Sequence, residues 1–259
     1  GVEAHIDGSP AIGGTSAGCA IQGRVYFDAM NGTVRSDEAL ADPYHTNLTL
    51  QRDNFLENSI LANTITDTHY NNPDRRGRHT TFLARMVQDW GIQAKGIGVN
   101  EATAVCIDEN GIAKVYGDSN YEDYAYFLQQ YGGSPETCAS GTALTWNNSG
   151  QAVRVYKIRG DETASNSFDL NDWQTGTGGE WVYFYAIDGV FTEVAGDNPP
   201  QPDYCSSQGN DASYEWIAEV SFAENSHASA SNSGYADFTS TIFNVYQASS
   251  HNIQLTPGF

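Results

Sequence analysis

Cationic side chains are scarce in this sequence. Twelve Lys and Arg face 32 Asp and Glu, giving a net charge of -20 and a pI near 4.3. Only three lysines occur, Lys95, Lys114 and Lys157. A surface so poor in cations cannot neutralise phosphates, which argues against nucleic acid and anionic membranes as partners. It suits a saline exterior, a cationic substrate or plain solubility. Long apolar runs are lacking too. No stretch approaches the roughly 18 residues needed to span a bilayer, so no membrane span is expected. Cysteine is sparse, and the spacing of Cys19, Cys106, Cys138 and Cys205 fits no zinc pattern, so no metal or other cofactor is expected. Cys19 and Cys106 lie in small or apolar contexts and read as buried thiols. Cys138 and Cys205 lie in polar, Gly/Ser-rich stretches and could form a disulfide. There is no internal repeat, no initiator Met and no visible signal peptide, so the opening "GVEAHIDGSP" reads as that of a processed or incomplete chain. Abundant Asn, Ser, Gly and Thr lean towards a secreted, extracellular or cell-surface protein.

What is present is enough for a real core. At 259 residues with 39% hydrophobic and 12% aromatic content, the chain can hold one large domain or a domain with an appendage. Residues 11–28 read as strand, tight turn and helix. "NTITDTH" reads as a short strand ending at Asp67. In "RHTTFLARMVQDWG", residues 78–91, Phe82, Leu83, Met86, Val87 and Trp90 recur at helical spacing, and Gly91 suits the C-terminal cap. "ATAVCID" and "IAKVYG" flank "ENG" and read as a hairpin. Strands and helices thus alternate early in the chain, as in an α/β layered sheet. From about residue 143 the texture becomes mainly β. "ALTWNNSGQAVRVYKI" resembles a hairpin unit, and "EWVYFYAIDGVFTEV" alternates and turns at Asp188-Gly189. "GDNPPQPDYCSS" carries three prolines within four residues and reads as a linker. The expected division is a domain over 1–195, a linker over 196–203 and a β module over 204–259.

The stretch "IGGTSAGCAIQG" crowds small residues around one hydroxyl, Ser16. A serine nucleophile needs exposure, a base and nearby backbone N–H donors. A sharp strand-to-helix turn supplies the exposure and the donors, and small neighbours let substrate approach. A Gly-rich turn with a bystander serine would look the same. The base should be one of six histidines: His5, His45, His69, His79, His227 or His251. His69 follows the "NTITD" strand, and ligands and catalytic groups collect at strand ends in open α/β sheets. Spacing alone cannot choose an orienting acid among 32 carboxylates. Glu101, after "GIGVN", reads as partly desolvated and in need of a partner such as an imidazole N–H. "DRRGR", Asp74 to Arg78, concentrates three arginines in an acidic chain. These could clamp a carboxylate or form structural ion pairs with Asp67, Asp74 or Asp89.

"GGTSAG", "DTHY…RRGR" and "GIGVNEATA", in that order, resemble the cyanophycinase family of serine peptidases. "ALTWNNSGQAVRVYKI" and "NSFDLNDW" resemble segments of its secreted members. The resemblance spans about residues 11–194. It implies an α/β fold with a three-layer class I glutamine amidotransferase-like (flavodoxin-like) sheet, here lacking its N-terminal strands, followed by β-rich C-terminal additions. It implies Ser16 as nucleophile, His69 as general base and then acid, and Glu101 as the group that orients His69. The Ala17 N–H would supply half the oxyanion hole, and Asp67, Arg75 and Arg78 would line the substrate pocket. The implied reaction is acyl transfer through an acyl-serine on Asp-containing peptide or β-aspartyl bonds, as in the polymer cyanophycin, with no metal.

The family usually has Gln before the histidine and a further Arg after it, where this chain has Thr68 and Pro73. Its nucleophile also lies deeper in the chain. The expected partner is therefore a separate or absent N-terminal segment of the same protein, without which this chain is expected to be inactive. Homo-oligomerisation is also open. "YCSSQGNDASYEWIAEVSF", "GYADFT" and "IQLTPGF" resemble the start of the β-rich GEVED module of extracellular bacterial proteins. The competing expectation is a non-catalytic relative that serves as a structural, adhesion or filament protein. A glutamine amidotransferase is weaker, because that chemistry uses cysteine where this chain has Ser16.

Overall fold

The structure, a computed structural model, describes residues 12–53, 56, 58–121 and 123–196, and the backbone of four short strands beyond them. The chain divides into two compact units, Gly1–Pro199 and Pro200–Phe259, and this division falls inside the proline-rich stretch.

The first unit is built on an eight-stranded mixed sheet. Its strands are β1 (Val25–Phe27), β2 (Leu50–Arg52), β3 (Thr64–Asp67), β4 (Lys95–Val99), β7 (Tyr124–Gln130), β8 (Val153–Arg159), β11 (Gly179–Ile187) and β12 (Val190–Ala195), in the spatial order β12-β11-β8-β7-β4-β3-β1-β2. Pairing is parallel from β1 through β3 to β4 and antiparallel elsewhere. A second, antiparallel sheet contains β5 (Ala104–Ile107), β6 (Ile112–Tyr116), β9 (Ser167–Asp169) and β10 (Gly176–Thr177), in the order β10-β9-β6-β5. The α-helices among the described residues are α1 (Ala17–Ala20), α2 (Ser36–Ala41) and α3 (Arg76–Trp90). The class is α/β, but strand dominates.

Period-2 alternation sends the large sheet's side chains into two cores. On β7, Tyr126 and Leu128 join Val153, Val155, Val182 and Phe184 in a core with Phe82, Leu83 and Met86 of α3. The intervening Ala125 and Phe127 face the other way, with Ile97, Val99, Val115 and Phe168. One face of the large sheet is therefore covered by helix and the other by the small sheet. β3 lies between β1 and β4, and all four of its residues are buried.

Helix α3 follows from its sequence. Phe82, Leu83, Met86 and Val87 are buried, Trp90 is half-buried under Arg52, and Gly91 ends the helix at φ 61° with its N–H on the Val87 carbonyl. The loop from β3 into α3 lies against the end of β4, where Tyr70 N–H donates to Val99 O at 3.1 Å. Gly98 permits this. A Cβ at Gly98 would stand 2.5 Å from the Tyr70 ring, so only hydrogen leaves room for the phenol on the sheet.

Other expectations are corrected. Ile12 belongs to no strand, and the helix after it is only four residues long, with a strand at Val25–Phe27. The 104–116 hairpin forms, and so does the 179–195 hairpin, whose turn residues Asp188 and Gly189 both have positive φ. The stretch 143–158 does not make its own hairpin. Trp146 bridges to Ala186 instead, and β8 lies between β7 and β11. Cys106 is exposed because it falls on the outward positions of β5. Cys138 is a free, buried thiol packed in the helix-side core, so the expected bridge is not formed there; Cys205 lies outside the described residues. In the second unit, Trp216–Glu219 pairs antiparallel with Asn244–Gln247, and Ala228–Ala230 with Gln254–Leu255.

His79 is fully buried, its Nδ1 3.0 Å from the Tyr70 hydroxyl. Burial pushes its imidazole down from its ordinary value to about 4, against the opposing pull of Asp67 and alongside the repulsion of Arg78. The unfolded chain therefore binds a proton near pH 6.5 that the folded chain refuses until near pH 4. Stability should fall as pH is lowered through that window, by roughly 3 kcal/mol in all. Urea unfolding at pH 7 and pH 5 should show the upper part of this loss, about 2 kcal/mol, in the native protein and a smaller one in His79→Gln. A second expectation concerns close packing. Gly98→Ala should cost about 1–3 kcal/mol in urea unfolding, because the buried Tyr70 ring must move.

Candidate active site

Three segments meet at the carboxyl ends of the parallel strands β3 and β4. Ser16 immediately precedes α1, His69 lies two residues beyond β3, and Glu101 lies two residues beyond β4. Ser16 Oγ is 3.1 Å from His69 Nε2, and His69 Nδ1 is 2.7 Å from Glu101 Oε1. With Nδ1–H donated to the carboxylate, Nε2 is left as the acceptor for the Ser16 hydroxyl. The three residues named from sequence are thus brought into one hydrogen-bonded line.

Local chemistry explains each position. Ser16 has φ 54° and ψ -125°, a conformation that costs a non-glycine residue about 1–3 kcal/mol and turns its side chain out of the elbow. The motif Gly14-Thr15-Ser16-Ala17-Gly18 makes this turn possible. A Cβ on Gly14 would stand 2.3 Å from the Gly18 carbonyl, so the two chain segments can cross only there. Helix α1 is tied to β3 by Thr66, whose hydroxyl donates to Cys19 O at 2.7 Å. Ala17 opens the helix, where N–H groups have no intrahelical acceptor and the dipole's positive end lies. Its N–H is therefore suited to a developing oxyanion beside Ser16 Oγ. Cys19, one turn on, is pushed up to about 11 by burial and by Asp67, so it is no thiolate nucleophile.

Glu101 is more exposed than its sequence context suggested, with 44% of its side chain open to solvent. Hydrogen bonds hold it rather than burial. Its N–H donates to Asn71 Oδ1 at 3.0 Å, and Asn72 Nδ2 donates to its Oε2 at 3.4 Å. The His69 hydrogen bond, then that from Asn72, holds the carboxyl below its ordinary range, so it stays ionised opposite the imidazole. Asn71 and Asn72 were not singled out as site residues from sequence. Their one signal is their place in "HYNNPD", directly after His69.

The arginines divide. Arg78 is buried and grips Asp67 with two hydrogen bonds, Nε to Oδ2 at 2.8 Å and Nη2 to Oδ1 at 2.6 Å. Its Nη1 donates to Val34 O at 3.1 Å. Both side chains of the pair are about 95% or more removed from solvent, so neither lines an open pocket. Their expected substrate contact is replaced by a structural ion pair, which was one of the two options for "DRRGR". Arg75 donates to Thr68 O at 2.8 Å and lies 3.6 Å from Asp67, so it braces the backbone just before His69. Among the described residues no group of His, Cys, Asp and Glu is arranged to hold a metal ion, and no helix is long and apolar enough to cross a membrane.

No protein-family model matches the chain, and no curated protein matches it.

The buried pair yields a test of the site's foundation. Asp67→Asn should strand the Arg78 charge and cost about 3–5 kcal/mol in urea unfolding. Asp67→Asn combined with Arg78→Met should recover at least half of that loss, because no uncompensated charge remains.

Proposed function

We propose that this protein is an extracellular serine hydrolase of the cyanophycinase type, cleaving peptide or β-aspartyl bonds through an acyl-serine intermediate. The observation that carries this reading is the continuous Ser16–His69–Glu101 line, at 3.1 and 2.7 Å. The three ordered motifs of the resemblance supply those same three residues. On this reading the β1–β3–β4 parallel strands belong to a class I glutamine amidotransferase-like sheet.

Ser16 Oγ attacks the scissile carbonyl carbon while His69 Nε2 takes the hydroxyl proton. Glu101 stabilises the resulting imidazolium and keeps its proton on Nδ1. The tetrahedral oxyanion is held by the Ala17 N–H at the start of α1. His69 then protonates the departing amine, leaving an ester on Ser16. Water, deprotonated by His69, attacks that ester, and collapse of the second tetrahedral intermediate returns the proton to Ser16 and frees the acid.

A second reading has one observation in its favour. Asp67 and Arg78 are consumed in a buried pair rather than facing a pocket, which favours a non-catalytic relative. The readings separate cleanly. In the hydrolase, a fluorophosphonate probe labels Ser16 of the full-length protein. Ser16→Ala abolishes labelling and lowers turnover of a β-aspartyl dipeptide by at least about 10³-fold, and Glu101→Gln lowers it by roughly 10²–10⁴-fold. A folded full-length protein that takes no label and turns over no Asp-containing peptide would establish the scaffold reading.

A further inference from the structure

All twelve cations lie among the described residues, and eight of them stand in ion pairs. Of the other four, Lys114 is exposed on β6, and Arg159 donates twice to the Tyr121 carbonyl. The two that remain, Lys95 and Arg154, are half-buried and lack a carboxylate partner among the described residues. In a chain with 32 carboxylates and 12 Lys and Arg, two such cations stand out.

They also stand together. Lys95 on β4 pairs in register with Gln129 on β7, and Gln129 pairs with Arg154 on β8. Residues in register share a face, so Lys95, Gln129 and Arg154 form one row on the small-sheet face, their ends spanning two strand spacings, roughly 10 Å. Val99, at the other end of β4, leads to Glu101, so this row lies at the opposite edge of the sheet from the triad.

Each cation lies against an indole. Lys95 Nζ is 4.7 Å from the Trp173 ring, and the Arg154 guanidinium carbon is 3.6 Å from the Trp181 ring and 5.5 Å from that of Tyr131. The ring faces offset part of the desolvation cost but supply no counter-charge. Burial alone pulls the Lys95 ammonium below its ordinary value. The Arg154 Nε and the Trp173 Nε1 are both buried donors without a hydrogen-bond partner. Gln129 Nε2 donates to Trp173 O at 2.6 Å, which fixes the indole beside the row.

We propose that this row is a binding site for the carboxylates of an acidic peptide, separate from the triad. A planar guanidinium suits a carboxylate through two parallel hydrogen bonds, and Lys95 adds a point charge to a second carboxylate on the same chain. An anionic sugar fits less well. Stacking a pyranose needs an open aromatic face, but Trp173 is 2% exposed and Arg154 lies on the face of Trp181. The net charge of -20 repels an acidic peptide at long range, so any binding has to come from these short-range groups.

The test uses hexa-aspartate as probe and titrates the full-length Ser16→Ala protein by calorimetry and by tryptophan fluorescence. Removing the nucleophile keeps the readout independent of hydrolysis. Expected is saturable binding that Lys95→Gln and Arg154→Gln each weaken by about ten-fold, that the double variant loses, and that added salt of about 0.3 M suppresses. Arg154→Lys should retain part of the affinity, because the charge stays and the fork is lost. Matching unfolding curves for variants and parent exclude simple misfolding. Absent saturable binding, or binding that the double variant retains, would overturn the proposal. So would binding of oligogalacturonate with none of hexa-aspartate.

Discussion

The end of the sheet that carries Ser16, His69 and Glu101 depends on the buried contact between Asp67 and Arg78. Asp67 is the last residue of β3, the middle of the three parallel strands, and Arg78 lies in the first turn of the helix that follows it. Their two hydrogen bonds fix the strand end to the helix start, so the chain between them is a loop with both ends held. His69 lies in that loop with a positive φ of 49°, which the flanking order has to maintain. Arg75 adds a third tie through the Thr68 carbonyl. A partly hydrated pair would contribute little, but in the interior the geometry is enforced, because breaking it strands a charge.

Much of this end was legible in the sequence, for identifiable reasons. The glycine-serine elbow announces itself because few residue types can cross as closely as Gly14 and Gly18 do. The long helix was legible because Phe82, Leu83, Met86 and Val87 repeat at its period, and because Gly91 stops it. His69 and Glu101 were found by their place after strands, and the resemblance to a known family put them in the same site as Ser16. The two hairpins with tight Gly-containing turns, at 108–111 and 188–189, were read from those turns.

What was not legible depends on partners distant in the chain. Whether Arg78 serves a substrate or the core is decided by Asp67 eleven residues away and by the Val34 carbonyl, and no local pattern states that choice. Cys106 reads as buried from its apolar neighbours, yet β5 is an outer strand of the small sheet, and its alternation turns the thiol outward. Glu101 was expected to be desolvated, yet it is held by Asn71 and Asn72 across the loop. The stretch 143–158 looked like one hairpin because its strand signals are genuine. Its pairing partners, Ala186 for Trp146 and Leu128 for Val155, belong to other parts of the chain.

The four-residue helix behind Ser16 has no fully buried residue; the hydrogen bond from Thr66 ties it to the sheet, and Cys19 packs against the small-sheet core. His69 and Glu101 each lie two residues beyond a strand of the large sheet, whereas Ser16 precedes a helix of a single turn. Local opening free energies are lowest in segments of that kind. On the proposed hydrolase reading, the fraction of molecules with Ser16 within reach of His69 would scale reactivity directly, as the occupancy of a competent state scales an apparent affinity. A contact that tightened the elbow would act as an activator without touching His69 or Glu101.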